Sequence, residues 1–256
     1  MKPFKLLFAA AAAVATIITF AAPNAKAFAE PELARIIFWH LPCAIISTLF
    51  LIAGAVYGVS YLRKGQWASE TKSAAATEMA FTMSLITMTT GILFSKVQWG
   101  HWWNWDPRQT SFLLVLLILA GYEVLRMSIP DEEFRAKSTA AYSALALLPS
   151  LFLIFVFPRM GHVLQKSLHP STTAQSGGFD STHWTILLLM FGVLTVASVW
   201  LFRLRVRAAL LERELENTHA ELDDRGGSAA TGVVRPVSLP SEGGELVEAG
   251  RSTPAN

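Results

Sequence analysis

Apolar residues gather along this chain in six stretches, from Phe4 to Ala22, Ile36 to Tyr61, Ala74 to Phe94, Ser111 to Leu125, Ala140 to Phe157 and Trp184 to Phe202. A helix needs roughly 20 mostly apolar residues to cross a bilayer, because lipid offers an unpaired backbone group no partner. The pattern predicts an all-α polytopic membrane protein with about six transmembrane helices. The polar positions between the runs set its orientation. Lys2, Lys5, Arg63, Lys64, Lys72, Arg126, Arg135, Lys137, Arg203, Arg205 and Arg207 fall on one side, against only Lys26, Arg35, Lys96, Arg108, Arg159 and Lys166 on the other. By the positive-inside rule the first side is cytoplasmic. Both termini then lie inside, and the loops around residues 23 to 40, 95 to 110 and 158 to 183 lie outside.

The first run also fits a secretory signal, with Lys2 and Lys5 ahead of it and the small-residue site "AKA" at Ala25 to Ala27 behind it. Its length favours a retained helix. Residues 1–27 are therefore read as a first transmembrane helix or signal-like segment, and residue 28 starts outside in either case. Residues 28–205 form the membrane core. Beyond it, Leu204, Leu211, Leu215 and Leu222 recur at near-helical spacing among charges, which predicts a cytoplasmic amphipathic helix over 206–225. From 226 to 256 Gly, Ser, Pro and Thr dominate, with too little apolar surface to offset chain entropy, so this tail is expected to be disordered.

Composition narrows the function classes. With 52% hydrophobic and 16% charged residues, a water-soluble domain is excluded as the starting point. A net charge of +2 gives no argument for nucleic acid. The lone Cys43 excludes an internal disulfide, a CxxC redox pair and a CxxCH haem-attachment site. The chain is thus neither a c-type cytochrome nor a thiol oxidoreductase.

The candidate chemistry lies in the external stretch 99–111, "WGHWWNWDPRQTS", which holds four of the chain's 8 tryptophans. An aromatic belt at the lipid headgroups accounts for scattered tryptophans. It does not account for the polar set His101, Asn104, Asp106, Arg108 and Gln109, or for Pro107 at a helix start. Indole faces with a few polar groups suit a large planar ligand with charged margins, and porphyrin fits. Arg108 has three partners open to it: a propionate, Asp106 or a lipid phosphate. Axial ligation calls for neutral imidazole. Five of the 6 histidines, His40, His101, His162, His169 and His183, fall at or near the outer face. His40 in "ARIIFWHLPCA" and His169 in "QKSLHPSTT" come from different loops and can approach a flat ligand from opposite sides. A zinc centre competes, but no HExxH or acidic ligand cluster occurs outside. Glu78 and Glu123 read as helix-end groups, and Gly54, Gly58 and Gly91 as close helix packing.

These segments resemble the CcmC family, haem-handling membrane proteins of bacterial cytochrome c maturation. "WGHWWNWDPRQTS" is similar to that family's tryptophan-rich WWD motif, and "ARIIFWHLPCA" and "SLHPSTT" match its histidine segments. The resemblance covers roughly residues 30 to 205. It implies that haem b, as transient cargo, is held at the periplasmic face of the inner membrane. His40 and His169 match the axial ligands to its iron, and Trp99, Gly100, Trp102, Trp103, Trp105, Asp106 and Arg108 match the WWD motif. It further implies delivery to a CcmE-like haem chaperone, with CcmD-like and CcmA/CcmB-like membrane partners, and no catalytic residues in the sense of a turnover enzyme. "DPRQTS" is also similar to the "DPKET" style of CcsA-type synthases, and His101 and Asn104 depart from the CcmC pattern. A CcsA-like haem lyase that attaches haem directly to apocytochrome is thus the alternative, followed by a haem or solute permease, which would need polar groups or broken helices at mid-membrane.

Overall fold

The computed structural model describes residues 2–169 and 178–230. Among them the regular structure is helical throughout: α1 (Lys2–Phe20), α2 (Ile37–Lys64), α3 (Trp67–Trp99), α4 (Pro107–Ser128), α5 (Glu132–Leu151), the short α6 (Gly161–Leu164) and α7 (Ser181–Ala230). Six helical runs among the described residues are long and apolar enough to cross a membrane. The protein is an all-α polytopic membrane protein. Its helices outrun the apolar stretches of the sequence because polar ends keep their backbone bonds inside the helix; α3 starts at Trp67 and ends at Trp99, well beyond Ala74 and Phe94.

Helix ends follow local chemistry. Gly65 and Gly100 close α2 and α3 at φ of 66° and 79°, a left-handed conformation that costs glycine nothing, and their N–H groups donate to Tyr61 O at 2.8 Å and Lys96 O at 3.1 Å. Asp131 caps α5 by accepting from Phe134 N at 2.7 Å. Asp106 caps α4, with Pro107 in the first helical position.

The centre of the bundle is the α2–α3 pair, joined by a two-residue turn. A Cβ on Gly54 would lie 2.5 Å from Thr77 Oγ1, and one on Gly58 would lie 2.6 Å from Ser143 Oγ. Both glycines therefore let α3 and α5 approach α2 closely, as the sequence suggested. Cys43, Ile46, Phe50, Met79, Met83, Val115 and Leu119 fill the space between α2, α3 and α4. A second cluster joins Ala15 and Ala22 to Phe38, Ile186, Leu187 and Met190, so α1 packs with α2 and α7. Glu70 pairs with Arg126 at 2.7 Å, and Glu78 with Arg205 at 2.9 Å. Glu78 is thus an inter-helix partner rather than only a helix-end group.

Two departures from the expected layout concern α5 and α7. After Pro149, α5 loosens into a π-helical turn at Phe152–Val156 and a 3₁₀ turn at Phe157–Arg159. Pro158 has no N–H for the Ile154 carbonyl; Arg159 Nη1 supplies donors to Phe155 O at 2.8 Å and Ile154 O at 3.4 Å. The segment 206–225, expected as a cytoplasmic amphipathic helix, is helical within α7, which runs on to Ala230. Residues 226–230, expected in the disordered tail, belong to the helix. The rest of that tail, 231–256, lies outside the described residues. The chain divides into a unit over Met1–Glu212 and a second unit from Arg213 onward.

Candidate ligand-binding site

A cavity of about 600 Å³ opens in the first unit, in the size range of small-molecule sites. Its walls are mostly apolar, drawn from Ile37, Leu41, Met88, Phe94, Phe112 and the loosened end of α5. Its polar lining includes His40, His169, Asp106, Arg108, Gln109 and Arg159. His40 comes from α2 and His169 from the segment after α6. Chain positions far apart in sequence thus meet at one cavity.

His40 is half-buried against α3. Its Nδ1 lies 3.1 Å from Thr87 O and 3.1 Å from Thr90 Oγ1. His169 is held through its neighbours by Asp106, which is 3% exposed. One carboxylate oxygen of Asp106 accepts from Arg108 N at 2.9 Å and Gln109 N at 3.4 Å, capping α4. The other accepts from Ser167 Oγ at 2.9 Å and Leu168 N at 2.6 Å. A single buried carboxylate therefore latches the His169 segment to the start of α4. Desolvation at the cavity wall, with Arg108 and His40 nearby, lowers His169 to about 4, and Asp106 offsets this only in part. Its imidazole is neutral at pH 7, the form that can ligate a metal.

Arg108 makes no ion pair with Asp106 among the described residues, and its Nε is buried without a hydrogen-bond partner. A guanidinium left in this state at an apolar wall calls for an anion. The tryptophans divide. Trp99 lines the cavity and packs edge-on against Phe94 at 5.7 Å. Trp102 and Trp105 are 56% and 75% exposed; Trp105 holds φ at 53° and meets Trp103 edge-on at 5.8 Å. Trp102, Trp103, Trp105 and Gly100 do not line the cavity. They form a ledge beside it, with Lys96 Nζ 5.9 Å from the Trp102 ring.

The other outer histidines have different settings. His101 and His162 are exposed. His183 is buried with Nδ1 2.8 Å from Asp180 Oδ1 and Nε2 3.1 Å from Pro23 O, so both nitrogens are engaged by acceptors and neither is open to a metal. The His183 backbone N–H, donating to Asp180 Oδ1 at 3.0 Å, and then the ring contact hold the Asp180 carboxyl below its ordinary range. No group of three or more His, Cys, Asp or Glu side chains forms a metal site among the described residues, which removes the support for a zinc centre there. Phe28, Thr87 and Arg159 also line this cavity, and Thr90 meets it through His40; the sequence pattern singles out none of the four.

The fold and cavity define a polytopic membrane protein in which two histidines line one cavity. The family model described as CcmC, Heme exporter protein C, matches residues 1–221. The chain belongs to this family. It is 30% identical to Heme exporter protein C of Rhodobacter capsulatus over 71% of this chain and 75% of that protein. It is 27% identical to Heme exporter protein C of Escherichia coli, over 70% of this chain and 72% of the other. A putative cytochrome c biosynthesis ccmC-like mitochondrial protein of Marchantia polymorpha is 30% identical over 64% of this chain and 67% of its own.

Proposed function

We propose that this protein binds haem b in the cavity between α2, α4 and the end of α5, at the periplasmic face of the inner membrane, and delivers it to a CcmE-like haem chaperone for cytochrome c maturation. The observation that carries the reading is the meeting of His40, His169 and Arg108 in one apolar cavity. A porphyrin needs apolar walls, two imidazoles for its iron and a cation for its propionates. His40 and His169 stand on separate elements, so they can serve as axial ligands on opposite faces of a flat ring. Trp99 is the stacking wall. On this reading the exposed Trp102 and Trp105, with the half-buried Trp103 between them, are where an acceptor protein would reach the cargo's edge, and CcmD-like and CcmA/CcmB-like proteins are the membrane partners it entails. The protein positions its cargo and hands it on, without turnover chemistry of its own. The printed names of the relatives, a heme exporter and a cytochrome c biosynthesis protein, support this reading.

The test is the visible spectrum of the detergent-purified protein, oxidised and reduced, beside the His40→Ala, His169→Ala double variant. The expected result is a Soret band of bis-histidine type that collapses in the variant. A wild type that takes up no haem even on reconstitution would sink the proposal.

A further inference from the structure

His40 would serve as a ligand only if the correct nitrogen carries the proton, and α3 decides which one does. Nδ1 faces the Thr87 carbonyl at 3.1 Å, and a carbonyl can only accept. Its second neighbour, Thr90 Oγ1, already donates its single proton within α3, to Ile86 O at 2.7 Å or Thr87 O at 3.1 Å. Towards His40 that hydroxyl is left as an acceptor. Both partners of Nδ1 therefore demand an N–H there. The imidazole is fixed as the Nδ1–H tautomer, and Nε2 keeps its lone pair on a ring that lines the cavity.

Gly91 makes this approach possible. It stands one helical turn after Thr87, over the same carbonyl. A Cβ at Gly91 would lie 3.1 Å from His40 Cε1 and 3.6 Å from Nδ1, tight enough that the ring would have to shift by a few tenths of an ångström against its two acceptors. The glycine that the sequence offered as ordinary helix packing is the floor on which His40 rests.

We infer that Thr87, Thr90 and Gly91 are positioning residues that lock the tautomer and plane of His40, an inference that rests on the proposed haem-binding role for its consequence but not for its geometry. The three touch the imidazole through α3 and act on any bound metal only through it. Partners of this kind typically change metal affinity by about 10–100-fold when lost.

The experiment has two arms. In the first, ¹⁵N NMR of the protein with labelled histidine, without haem and at neutral pH, reads the tautomer directly. Wild type and Thr90→Ser are expected to show His40 as Nδ1–H, whereas Gly91→Ala and Thr90→Val show increased Nε2–H character. In the second, haem titration of the same proteins is expected to give roughly tenfold weaker affinity and an altered low-spin spectrum for Gly91→Ala and Thr90→Val, with recovery in Thr90→Ser. An Nδ1–H tautomer unchanged in both Gly91→Ala and Thr90→Val overturns the inference, whether or not haem binds. A wild type with the expected tautomer that takes up no haem overturns the functional reading alone.

Discussion

Replacing Asp106 with Asn separates two jobs that one carboxylate performs. Asn caps helices about as well as Asp, so its Oδ1 can keep the bonds to Arg108 N and Gln109 N. The second oxygen becomes an NH₂ group, which would face the Leu168 N–H donor to donor where the carboxylate now accepts at 2.6 Å. Ser167 can turn its hydroxyl to compensate; a backbone amide cannot. Loss of one hydrogen bond to a charged acceptor at a buried site is worth about 2 kcal/mol. If that free energy is what holds the His169 segment in place, haem affinity falls by roughly 30-fold at 1.4 kcal/mol per decade. The assay is a Soret-monitored haem titration, with far-UV circular dichroism to follow the fold. Asp106→Asn should lose affinity with unchanged helix content and a modestly lower melting temperature. Asp106→Ala should lose as much affinity and melt earlier, since it also gives up a cap worth about 1 kcal/mol. Wild-type affinity in Asp106→Asn would refute the latch, because no other change in that variant spares the Leu168 amide.

Three further outcomes follow from the same geometry. Trp99→Ala, which removes a cavity wall, should weaken haem binding, whereas Trp105→Ala on the exposed ledge should leave haem content intact and lower transfer to a haem acceptor; equal binding losses in the two would contradict the division. His169, lowered to about 4, excludes a proton that the unfolded chain takes up near 6.5, so it contributes stability above pH 6.5 that is lost progressively as pH falls towards 4. Haem retention should accordingly stay flat from pH 8 to about 5 and drop near 4, and a midpoint at 6.5 would show that the imidazole is not shielded. Away from the cavity, Glu70→Gln breaks the 2.7 Å ion pair with Arg126, whose side chain is 28% exposed; thermal melts should show a loss of about 2 kcal/mol, below the range for fully buried pairs, with the Soret spectrum unchanged.

What could be read from the sequence, and what could not, divides along a physical line. The six spans were legible because lipid forces every crossing segment to be long, apolar and helical, a constraint that acts on each residue locally. Gly58 was legible for a similar reason, since a small residue in an apolar run has few uses besides close packing. His40 and His169 could be picked out by type and side of the membrane, but nothing in "ARIIFWHLPCA" or "SLHPSTT" states that they share a cavity, because that depends on how α2 meets the end of α5. The roles of Thr87, Thr90 and Gly91 were hidden more deeply. Threonine and glycine in a transmembrane helix look like back-bonded filler until an imidazole from another helix is laid against them, and only then does the Thr87 carbonyl acquire chemical meaning. Asp106 shows the same dependence within the recognised motif. Its neighbours suggested a ligand contact, whereas its own four hydrogen bonds are spent on α4 and the His169 segment. Asp106 therefore bears on the proposed cargo in two ways, by lining the cavity and by holding the His169 segment to the start of α4.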